Sequence, residues 1–318
     1  VVKHDAAAGR ALRIAGWAIV AAYAAWSFGG QQALAAVLDP FIRNLVEQSL
    51  LTAFFLVHAA GGLRAKEIAA YALICFVISN LLENASVITG FPFGAFHHSE
   101  ATGPRLFNIP WLATPTYMAM GYVAWVVSQV LTDRTRPIDW SLRVTASAFV
   151  GAFVFSMWDL CNDPVFHTMN KAFFYEHPGP WFGVPLSNFA GWLLTAALIH
   201  GLFALWLSRR PLQSLSRDAP PTAWWLQAVV MYAAVAAAGV WRNVHGREIL
   251  VTLPNGDAWR SADLYGSMTL VTVFTMGFVV LLALLRLAPG ASARQIETRP
   301  PLDGERRPRS NHSKDRVR

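Results

Sequence analysis

Long apolar runs, each about as long as a bilayer is thick, restrict what this chain can fold into. A helix needs roughly 20 apolar residues to cross the hydrocarbon core. Eight segments approach that length: 12–36, 45–63, 67–89, 110–131, 142–162, 185–207, 222–242 and 266–287. The second is the weakest, because Glu47, Gln48 and His58 interrupt it. Lipid offers no partners for backbone N–H and C=O groups, so such segments become helices. The sequence predicts an all-α, polytopic integral membrane bundle of about eight transmembrane helices over residues 1–290. Charged residues make up only 14% of the chain, and its thirteen Trp and twenty Phe suit a protein with aromatic interfaces. The first apolar run is too long for the h-region of a signal peptide.

The charges sit between these runs. With a cytoplasmic N-terminus, twenty Lys and Arg fall on the inner side and six on the other. That bias predicts both termini in the cytoplasm of a bacterial plasma membrane. Nine of the basic residues follow Leu285, and the segment 291–318, with Pro300 and Pro301, reads as a disordered basic tail. The net charge of +7 comes largely from that tail, so it points to anionic lipid rather than nucleic acid. Cys75 and Cys161 form neither a disulfide framework nor a zinc pattern. Inner connections are mostly short and basic. Three outer ones, 91–109, 163–184 and 243–265, are long, and the first two are rich in Phe, Trp, Gly, Pro and His. Irregular backbone at membrane depth must be buried by protein, so these loops are expected to fold down as a lid.

Ionisable and amide groups inside apolar spans are costly, which makes them functional candidates. Glu83 and Asn84 lie near the outer end of the third span. Ser79 is four residues before Glu83, and Asn80 four before Asn84, so each pair shares a helix face. A polar tie between helices is the alternative. Asp159 and Asp163 are also four apart, and Pro164 is expected to end their helix at Asp163. Two carboxyls so close in a poorly solvated place do not both ionise, and a retained proton is what a general acid needs. Capping by Asp163 and pairing of Asp159 with an Arg or Asn is the bland reading. Pro185 marks a helix start, and Asn188 and Trp192 face one way four residues apart. His97, His98, Glu100, His167 and His177 lie in or beside the outer loops without a metal-ligand spacing, so no metal is expected. His58 and His200, mid-span, read as neutral side chains bonded to neighbouring helices, and Glu47 as snorkelling.

Glu83-Asn84, Gly90-Phe-Pro-Phe-Gly94, Gly103-Pro-Arg-Leu, Pro110-Trp, Trp158-Asp159-Leu, Asp163-Pro164 and the run from Gly183 to Trp192 occur in that order. Together they resemble the membrane carotenoid-biosynthesis family that includes bisanhydrobacterioruberin hydratase and gamma-carotene hydratase. The resemblance covers residues 45–207. It departs at Phe96 and His98, where Tyr is common in the family pattern, and the loop 243–265 is not matched to it. The resemblance implies a hydro-lyase that adds water to a terminal C=C bond of a carotenoid or related isoprenoid, through protonation to a tertiary carbocation and water capture.

That chemistry calls for no cofactor. Asp159 or Asp163 would be the acid, with Glu83 as second choice, and Asn84 and Asn188 would orient water. Phe91, Phe93, Phe96, Trp158 and Trp192 would face the cation and line an apolar slot, with His98 beside them. The partners would be a hydrophobic polyene and the lipid bilayer; no motif fixes an oligomeric state. The same residues also suit a terpenoid cyclase or isomerase that protonates without adding water, a proton-coupled transporter or lipid-binding protein, or a non-catalytic scaffold of a carotenoid-making complex.

Overall fold

The computed structural model describes residues 6–132, 139–208, 220–253 and 256–288. The chain divides into a helical unit, Val1–Leu287, and a second unit, Ala288–Arg318. Beyond Ala288 the second unit, and with it the predicted basic tail 291–318, lies outside the described residues, as do the links 133–138 and 209–219.

The protein is an all-α polytopic bundle. Helix α1 runs over Ala6–Ala25 and continues through a π-helical turn, Trp26–Gly30, into Gln31–Ala33. Then follow α2 (Pro40–Ala60), α3 (Ala65–Thr89), α4 (Ala113–Leu131), α5 (Trp140–Thr168), α6 (Leu186–Ser208) and α7 (Thr222–Val244). Helix α8 spans Ser261–Thr272, a π-turn Val273–Gly277 and Phe278–Leu287. Six of these, α1, α3 and α5 to α8, are long and apolar enough to cross a membrane. Eight helices are present among the described residues, and six of them meet that measure of a span. Helix α2 carries Arg43, Glu47, Gln48 and His58, and α4 carries Thr114, Thr116, Tyr117, Tyr122 and Gln129, which lowers their apolarity.

Helix α3 shows how lipid inverts the usual pattern. Its buried face is Glu67, Tyr71, Cys75, Ser79, Glu83 and Ser86, nearly all polar. Its exposed face is Leu73, Phe76, Val77, Leu81 and Ile88. The i, i+4 spacing separates the two stripes. Helix α4 is the central element. It packs against α2, α3, α5, α6, α7 and α8, and every residue from Ala119 to Val130 is buried. A helix surrounded by protein can keep polar side chains that lipid would penalise.

Local signals explain the ends. Asp39 caps α2 by accepting from Ile42 N at 3.0 Å, with Pro40 in the first turn. Gly90 ends α3 in a left-handed conformation, φ 81°. Helix α5 corrects one expectation: Pro164 lies inside it, and the helix continues to Thr168. A proline ring denies the carbonyl four residues earlier its usual donor. Here that carbonyl, Leu160 O, accepts from Trp181 Nε1 at 3.4 Å, so the helix passes the proline.

The buried histidines tie helices together, as expected. His58 Nε2 donates to Trp224 O at 2.8 Å, because a carbonyl can only accept, so Nδ1 takes the Tyr122 hydroxyl at 2.8 Å. His200 Nε2 bonds Gly121 O at 2.9 Å. Glu47, expected to snorkel, instead accepts from Gln31 Nε2 at 2.7 Å and Tyr23 OH at 3.2 Å, joining α1 to α2.

The long loops pack over one end of the bundle. Strand β1 (Phe96–His98) pairs antiparallel with β4 (Phe173–Tyr175), setting Phe96 opposite Tyr175 and His98 opposite Phe173. Two-residue strands β2 (Arg105–Leu106) and β3 (Ile109–Pro110) close the first loop, and β5 (Leu250–Thr252) pairs with β6 (Ala258–Arg260) in the third. Phe93, Phe96, Tyr175 and Val184 form a buried cluster against Trp192, Phe173 and Leu82.

Candidate active site

One polar cluster and one aromatic shell meet beneath these loops. Asp159 and Asp163 stand on one face of α5, both buried. Asn188, two residues into α6, reaches both carboxyls: its Nδ2 lies 2.7 Å from Asp163 Oδ2 and 3.4 Å from Asp159 Oδ2. The two carboxyls also face each other, and Asp159 Oδ1 is buried beside Asp163. The neighbouring Asn162 donates to Trp158 O and accepts from Arg242 at 2.8 Å. The arginine on that side is thus engaged by Asn162, and the carboxyl pair meets an uncharged amide.

The roof is built by the turn after α3. Ser86 Oγ accepts from Phe93 N at 2.9 Å and donates to Gly94 O at 2.8 Å. Ser187 Oγ, at the start of α6, donates to Phe93 O at 3.2 Å. Gly191 lets the Phe93 ring settle on α6, since a Cβ there would sit 2.5 Å from Phe93 Cδ1. Trp192 forms one wall. It stacks on Tyr117 at 4.6 Å and meets Phe93 and Trp158 edge-on at 6.1 and 6.0 Å. Alternation along β1 turns Phe96 and His98 to one side and leaves His97 exposed.

Together these side chains enclose a partly open cavity of about 130 Å³. Eight of its lining residues are aromatic: Phe93, Phe96, Tyr117, Trp158, Phe166, Phe173, Tyr175 and Trp192. The polar ones include Glu83, His98, Asp163 and Asn188. An apolar cavity of about 150 Å³ accepts a benzene, so this one suits a single branched hydrocarbon end, not a whole polyene. Tyr175, in β4, has its phenol pushed well above the usual range, first by burial and then by the nearby Asp163, Asp159 and Glu83, so it stays a neutral hydroxyl.

Of the residues singled out in the sequence, Glu83, Phe93, Phe96, His98, Trp158, Asp163, Asn188 and Trp192 line this one cavity, and Asp159 lies directly behind Asp163 and Asn188. Two lie elsewhere. Asn84 is one residue round the helix from Glu83; its Oδ1 accepts from Asn108 N and Nδ2 at 3.1 and 3.2 Å, pinning the first loop. Phe91 precedes the roof turn and is 64% exposed.

Residues 43–254 match the family described as carotenoid biosynthesis protein. This chain belongs to that family. The match runs beyond residue 207, the limit of the sequence resemblance, and reaches past β5. A curated relative, bisanhydrobacterioruberin hydratase of Haloarcula japonica, is 28% identical over 140 residues. That alignment covers 44% of this chain and 45% of the relative, so the chain spans about half of the relative's length. No solved structure matches.

For a carotenoid-biosynthesis protein, the shape of the cavity is informative. Phe96 and His98, where the sequence is expected to depart from the family pattern, both line it. Tyr117, Thr116, Phe166, Phe173 and Tyr175 line it too and were not singled out in the sequence. Tyr117 had a signal, being a hydroxyl within a predicted span. Phe173 and Tyr175 had none beyond the aromatic richness of their loop, because the β1–β4 register that aims them is not visible in either strand alone.

Proposed function

We propose that this protein is a carotenoid hydratase, adding water to the terminal C=C bond of an isoprenoid-type end group. The observation that carries the reading is the paired carboxyls of Asp163 and Asp159 on one Asn188 amide, with Asp163 opening onto an aromatic cavity of one-prenyl size. Family membership and the hydratase relative support it.

Asp163 is the acid, and Asp159 is the buried partner across the amide. The Asp163 O–H bond breaks and its proton adds to the less substituted carbon of a trisubstituted alkene. A tertiary cation forms at the other carbon. Water bonds through oxygen to that carbon and releases a proton, so the product gains one H₂O with no change in oxidation state. Faces of Trp192, Trp158, Phe93 and Phe96 stabilise the cation, by about 0.5–2 kcal/mol each in a desolvated site. The same enclosure keeps bulk water from quenching it early. The remaining polyene would lie outside the cavity, in the apolar surroundings of the bundle.

The test is co-expression with pathways that make lycopene-type or bacterioruberin-type carotenoids, followed by mass analysis of the pigments. Products heavier by one water, or two if both ends react, are expected. Products of unchanged mass would indicate cyclisation or isomerisation by the same protonation. Unaltered pigments with normal membrane accumulation of the protein would defeat the proposal and favour a transporter, lipid-binding or scaffold role.

A further inference from the structure

The cavity contains a second polar group that the acid pair leaves unused. Glu83 Oε2, His98 Nε2 and Tyr117 OH are buried; among the described residues neither Glu83 Oε2 nor His98 Nε2 makes a close hydrogen bond, and the Tyr117 hydroxyl faces the Glu83 carboxyl. All three residues line the same cavity as Asp163. Buried polar atoms are paired in the great majority of native proteins, so a carboxyl and an imidazole left without close partners beside a hydroxyl call for a common one. Glu83 Oε2 and His98 Nε2 face each other at 3.7 Å. That is too long for a direct hydrogen bond and within the span that one water bridges.

Each group is fixed by something other than this pairing. His98 is set by the β1–β4 register opposite Phe173, and its own carbonyl accepts from Arg105 at 2.7 Å. Tyr117 is held by its stack on Trp192. Glu83 sits on the buried stripe of α3, between Ser79 and Ser86. Three separate elements, α3, β1 and α4, therefore deliver one acceptor, one imidazole and one hydroxyl to one place.

We infer that Glu83, His98 and Tyr117 hold the water that attacks the cation, and that Glu83 takes its proton. This deepens the hydratase reading and rests on it. The water oxygen forms the C–O bond, one of its O–H bonds breaks, and the proton passes to the Glu83 carboxylate. His98 and Tyr117 position that water. Asp163 has by then lost a proton and Glu83 has gained one; return of that proton to Asp163 resets the site. The cavity thus divides its labour, with an acid on α5 and a water-binding base on α3. Without the bound water, the cation's remaining outlet is loss of a proton from a neighbouring carbon to the Asp163 carboxylate, which gives an alkene isomer of unchanged mass.

The experiment reads that partition. Full-length wild type, Glu83→Gln, His98→Phe, His98→Gln and Tyr117→Phe are co-expressed with a lycopene-type pathway, and the ratio of hydrated to isomerised carotenoid is measured by mass spectrometry. General-base assistance contributes about 10²–10⁴-fold, so Glu83→Gln and His98→Phe should shift the ratio at least about tenfold towards the isomer. His98→Gln, which keeps a hydrogen-bonding tip, should recover part of the hydrated product. Tyr117→Phe preserves the ring stack and removes only the hydroxyl, so it tests the same site if a polar-residue variant fails to accumulate; it should shift the ratio in the same direction. An unchanged ratio overturns the inference. So does loss of both products in Glu83→Gln, which would make Glu83 the acid. Absence of any hydrated product from wild type would instead defeat the hydratase reading itself.

Discussion

Asp163→Asn is the sharpest perturbation of the proposed acid. The substitution is isosteric and leaves the lining of the cavity unchanged in volume. Asn188 Nδ2 now lies 2.7 Å from Asp163 Oδ2, and an asparagine side chain offers a carbonyl oxygen at the same place. The stability cost should therefore be that of one altered buried hydrogen bond, about 1 kcal/mol. The chemical cost should be much larger, because an amide does not deliver a proton to an alkene. General-acid catalysis is worth about 10²–10⁴-fold, which corresponds to about 3–5 kcal/mol of barrier. Asp159→Asn should cost less, since Asp159 lies 3.4 Å from the same amide and behind the cavity wall. The assay is pigment conversion per unit of membrane-inserted protein, with thermal unfolding in detergent run alongside. An Asp163→Asn protein that keeps more than a third of wild-type conversion, with an unchanged melting temperature, would refute the assignment.

Two further substitutions probe the frame around the site. Gly191→Ala places a methyl 2.5 Å from the Phe93 ring; overpacking of this kind should cost about 1–3 kcal/mol, seen as a lower melting temperature together with reduced conversion, because the roof must shift. His58→Leu strands the buried Tyr122 hydroxyl that now bonds Nδ1 and should destabilise by about 1–3 kcal/mol, while the mass of the pigment product stays as in wild type.

The fold class was legible because lipid imposes a coarse rule, and runs of apolar residues obey it. The count of spans was less so. Helix α4 is wrapped by protein, so its polarity says little about its position. The polar half of the site was legible for a related reason: Glu83, Asp159, Asp163 and Asn188 are groups that apolar segments normally exclude, and they stand out one by one. The aromatic half was not. A Tyr or Phe in a membrane protein reads as packing, and only the register of β1 on β4 aims Phe173 and Tyr175 at the cavity. Asn84 shows the limit of adjacency, since one step along a helix turns a side chain by about 100° and delivers it to the loop at Asn108. Pro164 shows the limit of a local rule: a tryptophan seventeen residues further on rescues the carbonyl that the proline strands.

The placement of α4 also bears on how the protein is made. A segment that falls short of the apolarity of a spanning helix, yet packs against six of the other helices, gains its place in the bilayer from those helices. Its settling is expected to follow insertion of α5 to α8, which lie downstream of it in the chain. A lesion in α7 or α8 would therefore reach the cavity through Tyr117, although neither helix lines it.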